Sequence, residues 1–254
     1  MTRVAVSGAG GRMGRLVAER IASAGDLDLV ACFDPGCPGV ISGGLAASDD
    51  PEAVSTADVV VEFTHPGVVM DNLSAWRAAG LHAVVGTSGF DEARLSDLTR
   101  LWGDGPPNCF VAPNFSIGAV VMMRLSEVAA PHFAAAEIIE LHHDGKADAP
   151  SGTALATARR IGAAKPDQQR QVESAETAAG ARGATVAGVS VHSVRLPGLV
   201  AHQEVVFGAV GETVTIRHDT TDRAAFMPGV LLAIRSVADL PDPVTVGLER
   251  LLGI

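Results

Sequence analysis

The sequence contains no run of about eighteen apolar residues free of charge, so no membrane-spanning helix is expected. It also lacks a basic run. With a formal net charge of −10 and a pI near 5.2, the chain has no electrostatic footprint for nucleic acid, and none is expected as a partner. Cysteine is scarce. Cys32, Cys37 and Cys109 are odd in number and lack metal-ligand spacing, so a reduced, cytoplasmic chain without a metal is the simplest expectation. The first residues run straight into a strand pattern and a glycine-rich turn, which leaves no room for a signal peptide. Apolar residues, by contrast, are plentiful. At 254 residues and 47% hydrophobic, the chain is long enough for two modest domains or one large one around a proper core.

The first ~113 residues alternate short apolar runs with amphipathic stretches. Val4-Ala5-Val6, Leu27 to Phe33, Val59-Val60-Val61, Ala83-Val84-Val85 and Phe110-Val111 read as buried strands. Arg12 to Ala24, Pro66 to Ala79 and Asp91 to Trp102 read as helices between them. This rhythm predicts a doubly wound parallel sheet of Rossmann type, with helices on both faces, over residues 1–113. After Pro113 the rhythm changes. Helix patterns at Ile117 to Val128 and Gly152 to Ala163 flank a strand from Ala136 to His143. A polar stretch from Lys165 to Gly188 reads as a long loop. Three strand patterns follow, at Val189 to Leu196, Glu204 to Phe207 and Thr213 to Arg217. Strands in series predict an α+β domain with a mainly antiparallel or mixed open sheet over residues 114–222. The helical tail from Arg223 to Val237 is apolar enough to pack back on the first domain, which residues 223–254 then complete.

Gly8-Ala9-Gly10-Gly11-Arg12-Met13-Gly14 follows the first strand and opens the first helix. Glycine permits a tight turn and lets a pyrophosphate approach the backbone, while the helix start offers amides and the positive end of its dipole. Such a motif is weak alone; its place between a strand and a helix supports it. Asp34, at the end of the second strand, is where a carboxylate would accept hydrogen bonds from the adenosine ribose hydroxyls. That acid would repel a 2′-phosphate, and Pro35 follows where an Arg would welcome one. NADH is therefore favoured over NADPH, with Arg12 leaving dual use open. Gly86-Thr87-Ser88-Gly89 and Ala112-Pro113-Asn114-Phe115 follow the fourth and fifth strands. Loops in that position face ligands bound beyond the carboxyl ends of an open parallel sheet, and the second also suits an interdomain hinge.

The most informative stretch is Glu140-Leu-His-His-Asp-Gly-Lys-Ala-Asp-Ala-Pro-Ser-Gly-Thr153. If Ala136 to His143 is a strand, His142 and His143 point to opposite faces, which argues against their sharing a metal. Lys146 is a candidate general acid, provided partial burial tunes it; a solvated surface lysine is the ordinary alternative. Asp148 suits either an ion pair with Lys146 or a turn. Ser151 is placed to cap a helix whose first amides, at Gly152 and Thr153, suit a carboxylate.

This run resembles the signature of the 4-hydroxy-tetrahydrodipicolinate reductase (dihydrodipicolinate reductase) family. Phe63-Thr-His-Pro66, Val85-Gly-Thr-Ser-Gly89, Ala112-Pro-Asn-Phe115 and Gly198-Leu-Val-Ala-His202 fall in family order, so the resemblance covers nearly the whole chain. It implies NAD(P)H-dependent reduction of a cyclic dicarboxylate to tetrahydrodipicolinate, with loss of water, in the diaminopimelate route to lysine. It implies that His142 is the catalytic histidine and Lys146 the proton donor. His143, Gly152 and Thr153 would then bind substrate, in a homotetramer whose two domains close around both ligands. Many members carry a His directly before the lysine, where Gly145 stands here, and Asp is frequent in place of Glu62, with little consequence expected. Two other readings remain at this level: another two-domain nicotinamide dehydrogenase, which has no need of the histidine–lysine run, and a dinucleotide sensor without turnover.

Overall fold

The computed structural model describes residues 1–166 and 175–254, and the chain divides into two compact units, 1–116 with 226–254, and 117–225. Residues 167–174, part of the expected polar loop, lie outside the described residues.

In the first unit, β1 (Thr2–Ser7), α1 (Arg12–Ala22) and β2 (Leu27–Phe33) form the opening strand–helix–strand. A small excursion follows, β3 (Ile41–Ser42) and β4 (Leu45–Ser48), then β5 (Val59–Glu62), α2 (Val69–Ala78), β6 (His82–Val85), α3 (Glu92–Trp102) and β7 (Cys109–Val111). The eight-stranded sheet includes a late strand from the chain's end, β13 (Val244–Val246), giving the order β13-β7-β6-β5-β1-β2-β4-β3. Every pairing is parallel except β3 with β4. Strands buried on both faces need continuous apolar runs, and Val59-Val60-Val61 supplies one. Val60, Ala83, Val85 and Val111 turn toward α2 and α3, packing with Leu73, Trp76, Leu98 and Trp102.

The second unit holds α4 (Ile117–Ala129), β8 (Ala135–His142), α5 (Gly152–Ala164), β9 (Ala184–Val186), β10 (Val189–Arg195), β11 (Ala201–Ala209) and β12 (Glu212–Thr220). α6 (Met227–Ser236) and α7 (Glu249–Leu252) flank β13 and belong to the first unit. The second sheet runs β12-β11-β8-β10-β9 and is mixed: β10 lies parallel to β8, and the other neighbours are antiparallel. One face is sealed by Ala154, Ala158 and Ile161 of α5 over Ile138, Val191, Val205 and Phe207. Two expectations need correction. The stretch expected as loop contains β9, a short edge strand whose register with β10 nothing local announces. β8 ends at His142, so His143 belongs to the following turn rather than to the strand. By contact the chain divides at 116/117 and 225/226.

Candidate active site

The glycine turn is shaped by steric need. Gly8 has φ +79°, and a Cβ there would stand 2.3 Å from the Phe63 carbonyl oxygen. On Gly14 a Cβ would stand 2.0 Å from the Gly8 carbonyl oxygen, so only glycine lets α1 press against the turn. The α1 N-cap is Gly11, which makes no side-chain cap bond, whereas Asp91 and Ser151 cap α3 and α5. The leading amides of α1 thus carry no competing oxygen from their own cap. Two side chains that pattern reading did not single out brace the turn: Ser42 Oγ donates to the Ala9 carbonyl at 2.8 Å, and Arg15 Nε to the Gly10 carbonyl at 2.9 Å.

Asp34 is part of the same turn. Its Oδ2 accepts from the Gly10 amide at 2.9 Å and its Oδ1 from the Gly36 amide at 3.0 Å. Each oxygen still has acceptor capacity for a hydroxyl. A side-chain-free cradle, an uncapped helix start and a carboxylate fixed beside it fit a dinucleotide: amides for pyrophosphate, an acceptor for ribose. Arg12 is exposed and Met13 half-buried at the helix start.

The two later loops sit at the carboxyl ends of β6 and β7. Thr87 is buried, and its Oγ1 accepts from the Thr64 amide at 2.9 Å, while Ser88 beside it is exposed. A Cβ on Gly86 would fall 2.2 Å from the Phe63 ring. The Ala112 amide donates to the Val85 carbonyl at 3.0 Å, Pro113 is exposed, and Asn114 Oδ1 accepts from the Ser116 amide at 2.8 Å. Phe115 is buried against Phe63 and Phe110, with centroids at 5.7 and 6.3 Å. Beneath these loops lies Glu62, fully buried. Its carboxylate accepts from Thr64 Oγ1, from Asn72 Nδ2 at 2.9 Å and from Trp76 Nε1 at 2.9 Å. The longer acid at this position therefore has defined partners on α2.

In the second unit, Glu140 and His142 alternate onto the helix-facing side at the end of β8, two residues apart as strand geometry requires. His142 Nδ1 lies 2.5 Å from Glu140 Oε2. Arg195, the register neighbour of His142 on β10, grips the same carboxylate with both terminal nitrogens, at 2.9 and 2.8 Å. The Ser151 amide completes the set at 3.1 Å from Glu140 Oε1. Burial alone would raise the Glu140 pKa; the hydrogen bonds from His142, Arg195 and Ser193 outweigh it and pull the group down to about 2. Glu140 is therefore an ionised acceptor, and His142 Nδ1 is the donor, which leaves Nε2 as the nitrogen for exchange with a ligand.

The turn after β8 is closed by the Lys146 amide donating to the His143 carbonyl at 3.1 Å. Lys146 Nζ pairs with Asp148 Oδ1 at 2.6 Å, and Arg195 also donates to the Asp148 carbonyl at 2.6 Å. The Lys146 hydrogen bond draws the Asp148 carboxyl below its ordinary range. Ser151 Oγ caps α5 by accepting from the Ala154 amide at 3.2 Å, and a Cβ on Gly152 would meet nothing within 4 Å. The start of α5 is thus approachable, and half-buried Thr153 lies next to it. The structure gathers His142, Lys146 and the α5 start around one Glu140–Arg195 ion pair. Glu140 was legible as the acid two residues before His142; Arg195 was not, because its place depends on β10 pairing with β8.

Strand, glycine turn, helix, strand and acid in one unit, and an imidazole and amine beside a helix start in the other, define a two-domain dinucleotide-dependent oxidoreductase. Comparison with known proteins makes the assignment particular. The family described as dihydrodipicolinate reductase, N-terminus, matches residues 2–115, and its C-terminus counterpart matches residues 118–252. The 4-hydroxy-tetrahydrodipicolinate reductase of Thermobifida fusca is 53% identical over the full length of both chains, and that of Cutibacterium acnes 52%. A dipicolinate-bound dihydrodipicolinate reductase from Paenisporosarcina superposes with a TM-score of 0.85 at 38% identity, covering 98% of this chain and 99% of that one. The chain belongs to the dihydrodipicolinate reductase family and is an oxidoreductase that takes a nicotinamide cofactor.

Proposed function

We propose that this protein reduces 4-hydroxy-tetrahydrodipicolinate to tetrahydrodipicolinate with loss of water, in the diaminopimelate route to lysine. The observation that carries the reading is the cluster at the end of β8, where His142, Lys146 and the start of α5 surround one ion pair. Two carboxylates on a small ring must be neutralised locally by a chain of net charge −10. The amides of Gly152 and Thr153, with His143, take one carboxylate and orient the ring. The nicotinamide supplies the hydride. The electron density it adds to the conjugated imine is quenched by a proton from Lys146, with His142 as the neighbouring acid–base group. Asp148 holds the amine of Lys146 by one of its three protons and leaves two to face the ring.

Gly8, Ala9, Gly10, Gly11, Arg12 and Met13 form the pyrophosphate cradle in this reading, and Asp34 takes the ribose. Gly86, Thr87, Ser88, Ala112, Pro113, Asn114 and Phe115 line the nicotinamide side. The carboxylate of Asp34 and the Pro35 that follows favour NADH over NADPH. The protein works as a homotetramer in the cytoplasm. Its three cysteines are free, and the face of the second sheet away from its helices carries Ile139, Leu141, Val194 and Val206 in partial exposure. Among the described residues no helix is long and apolar enough to cross a membrane. The deciding experiment is steady-state oxidation of NADH in the presence of enzymatically generated hydroxy-tetrahydrodipicolinate. Turnover to tetrahydrodipicolinate is expected; tight NADH binding without turnover would overturn the assignment.

A further inference from the structure

We propose that the buried Glu140–Arg195 pair is the positioning element of this reaction, setting the ring of His142 on one side and the Lys146–Asp148 pair on the other. The inference rests on the reading that His142 and Lys146 handle the proton. One guanidinium touches both halves of the cluster. Its terminal nitrogens bridge the two oxygens of Glu140 at 2.8 and 2.9 Å, and one of them also reaches the Asp148 carbonyl at 2.6 Å. Glu140 in turn orients His142 through Nδ1 at 2.5 Å and holds the Ser151 amide at 3.1 Å, next to the α5 start. Three features that must keep a fixed geometry around one ring are therefore tied to a single carboxylate and a single guanidinium.

Burial explains why the pair takes this form. Glu140 is fully buried and the Arg195 side chain largely so. A buried ion pair contributes little net stability compared with apolar residues of the same volume, because desolvation offsets the attraction. What it does provide is direction. A planar fork meets a carboxylate in one orientation only, and the carboxylate's remaining lone pairs are then aimed at the imidazole and the amide. An ionised acceptor at Nδ1 holds the proton there, so the neutral ring exists as one tautomer and presents Nε2 as its working atom.

The test uses the full-length protein. Glu140→Gln keeps the shape and removes the charge. Its kcat is expected to fall on the order of 100-fold, the penalty of a displaced catalytic group, while KM for NADH stays within about twofold. Because that variant strands Arg195, a Glu140→Gln/Arg195→Met double variant removes both charges and is expected to fold yet remain equally slow. Nitrogen-15 spectra of labelled histidine supply a readout that structure alone does not move. In the parent, His142 is expected as a single Nδ1–H tautomer, and in both variants as a mixture. Parental kcat in the double variant, or an unchanged His142 tautomer in it, overturns the inference. A parent that gives the single tautomer but no turnover would instead strike the functional reading and leave the positioning geometry standing.

Discussion

Lys146 Nζ lies 2.6 Å from Asp148 Oδ1, two residues along the turn that follows β8. Of the two roles open to Asp148, the structure shows the ion pair: the carboxylate restrains the amine, and its backbone carbonyl accepts from Arg195. The amine is only a fifth exposed and the carboxylate largely solvated, so the pair stabilises the fold little. Its value is in the placement of the amine. Lys146→Ala should lower kcat about 10²–10⁴-fold, the usual share of a general acid. NADH affinity, read by quenching or calorimetry, should stay near the parental value because the residues proposed to hold the cofactor belong to the other unit. Parental turnover in this variant would remove Lys146 as the proton donor.

Asp34 divides its two oxygens between the amides of Gly10 and Gly36. Asp34→Ala should weaken NADH more than NADPH, because it removes a ribose acceptor in the first case and also relieves repulsion of a 2′-phosphate in the second. Dissociation constants for both dinucleotides check this. An equal loss for both would place the ribose elsewhere.

Glu62 holds three neutral donors in a site closed to solvent. Glu62→Ala leaves the Trp76 indole N–H and the Asn72 amide buried without their acceptor, at a cost on the order of 3 kcal/mol. Thermal unfolding should fall by several degrees, and NADH affinity with it, since Thr64 and the Thr87 hydroxyl are braced by the same carboxylate and its carbonyl. An unchanged midpoint would mean that water satisfies these donors.

Acid should loosen the second unit through Glu140. Its folded-state pKa, about 2, lies below the ordinary 4.5, so the ionised group contributes stability that is fully present above the ordinary value. That contribution, on the order of 3 kcal/mol, drains away as pH falls from about 5 toward 2. Denaturant titrations across that window should show a steep decline in the parent. The slope should be shallower in the Glu140→Gln/Arg195→Met variant; identical slopes would exclude Glu140 as the source.

Ile139 stands on the open face of the second sheet, in register with His192 on β10 and Glu204 on β11. If the proposed tetramer forms through this face, Ile139→Lys should lower the solution mass measured by light scattering below that of a tetramer, because it sets a charge among the partly exposed apolar side chains there. A tetramer that survives this change assembles through another surface.

Much of this molecule was readable from local pattern. Val59-Val60-Val61 announces a strand buried on both faces, Gly8 to Gly14 announces a tight strand–helix turn, and the spacing of Glu140 and His142 places both on one face of β8. These signals are short-range, since a strand's alternation or a glycine's missing side chain acts within a few residues. β9 and β13 were not readable, because three-residue edge strands are defined by the neighbour they bond to rather than by their own sequence. The partners of Glu62 were hidden for a related reason: Asn72 and Trp76 look like ordinary members of an amphipathic helix until α2 is laid across β5.

Local sequence was enough for the strand, glycine turn and helix around Gly8 to Gly14 and for the chemical types proposed for proton transfer, because each depends on residues adjacent along the chain or a helical turn apart. Which side chain braces the carboxylate beside His142 was settled by tertiary structure alone. Arg195 lies 55 residues from Glu140, and nothing but the parallel register of β10 against β8 brings its guanidinium to that carboxylate. Pairing across a sheet is chosen by the burial of whole faces rather than by any local motif.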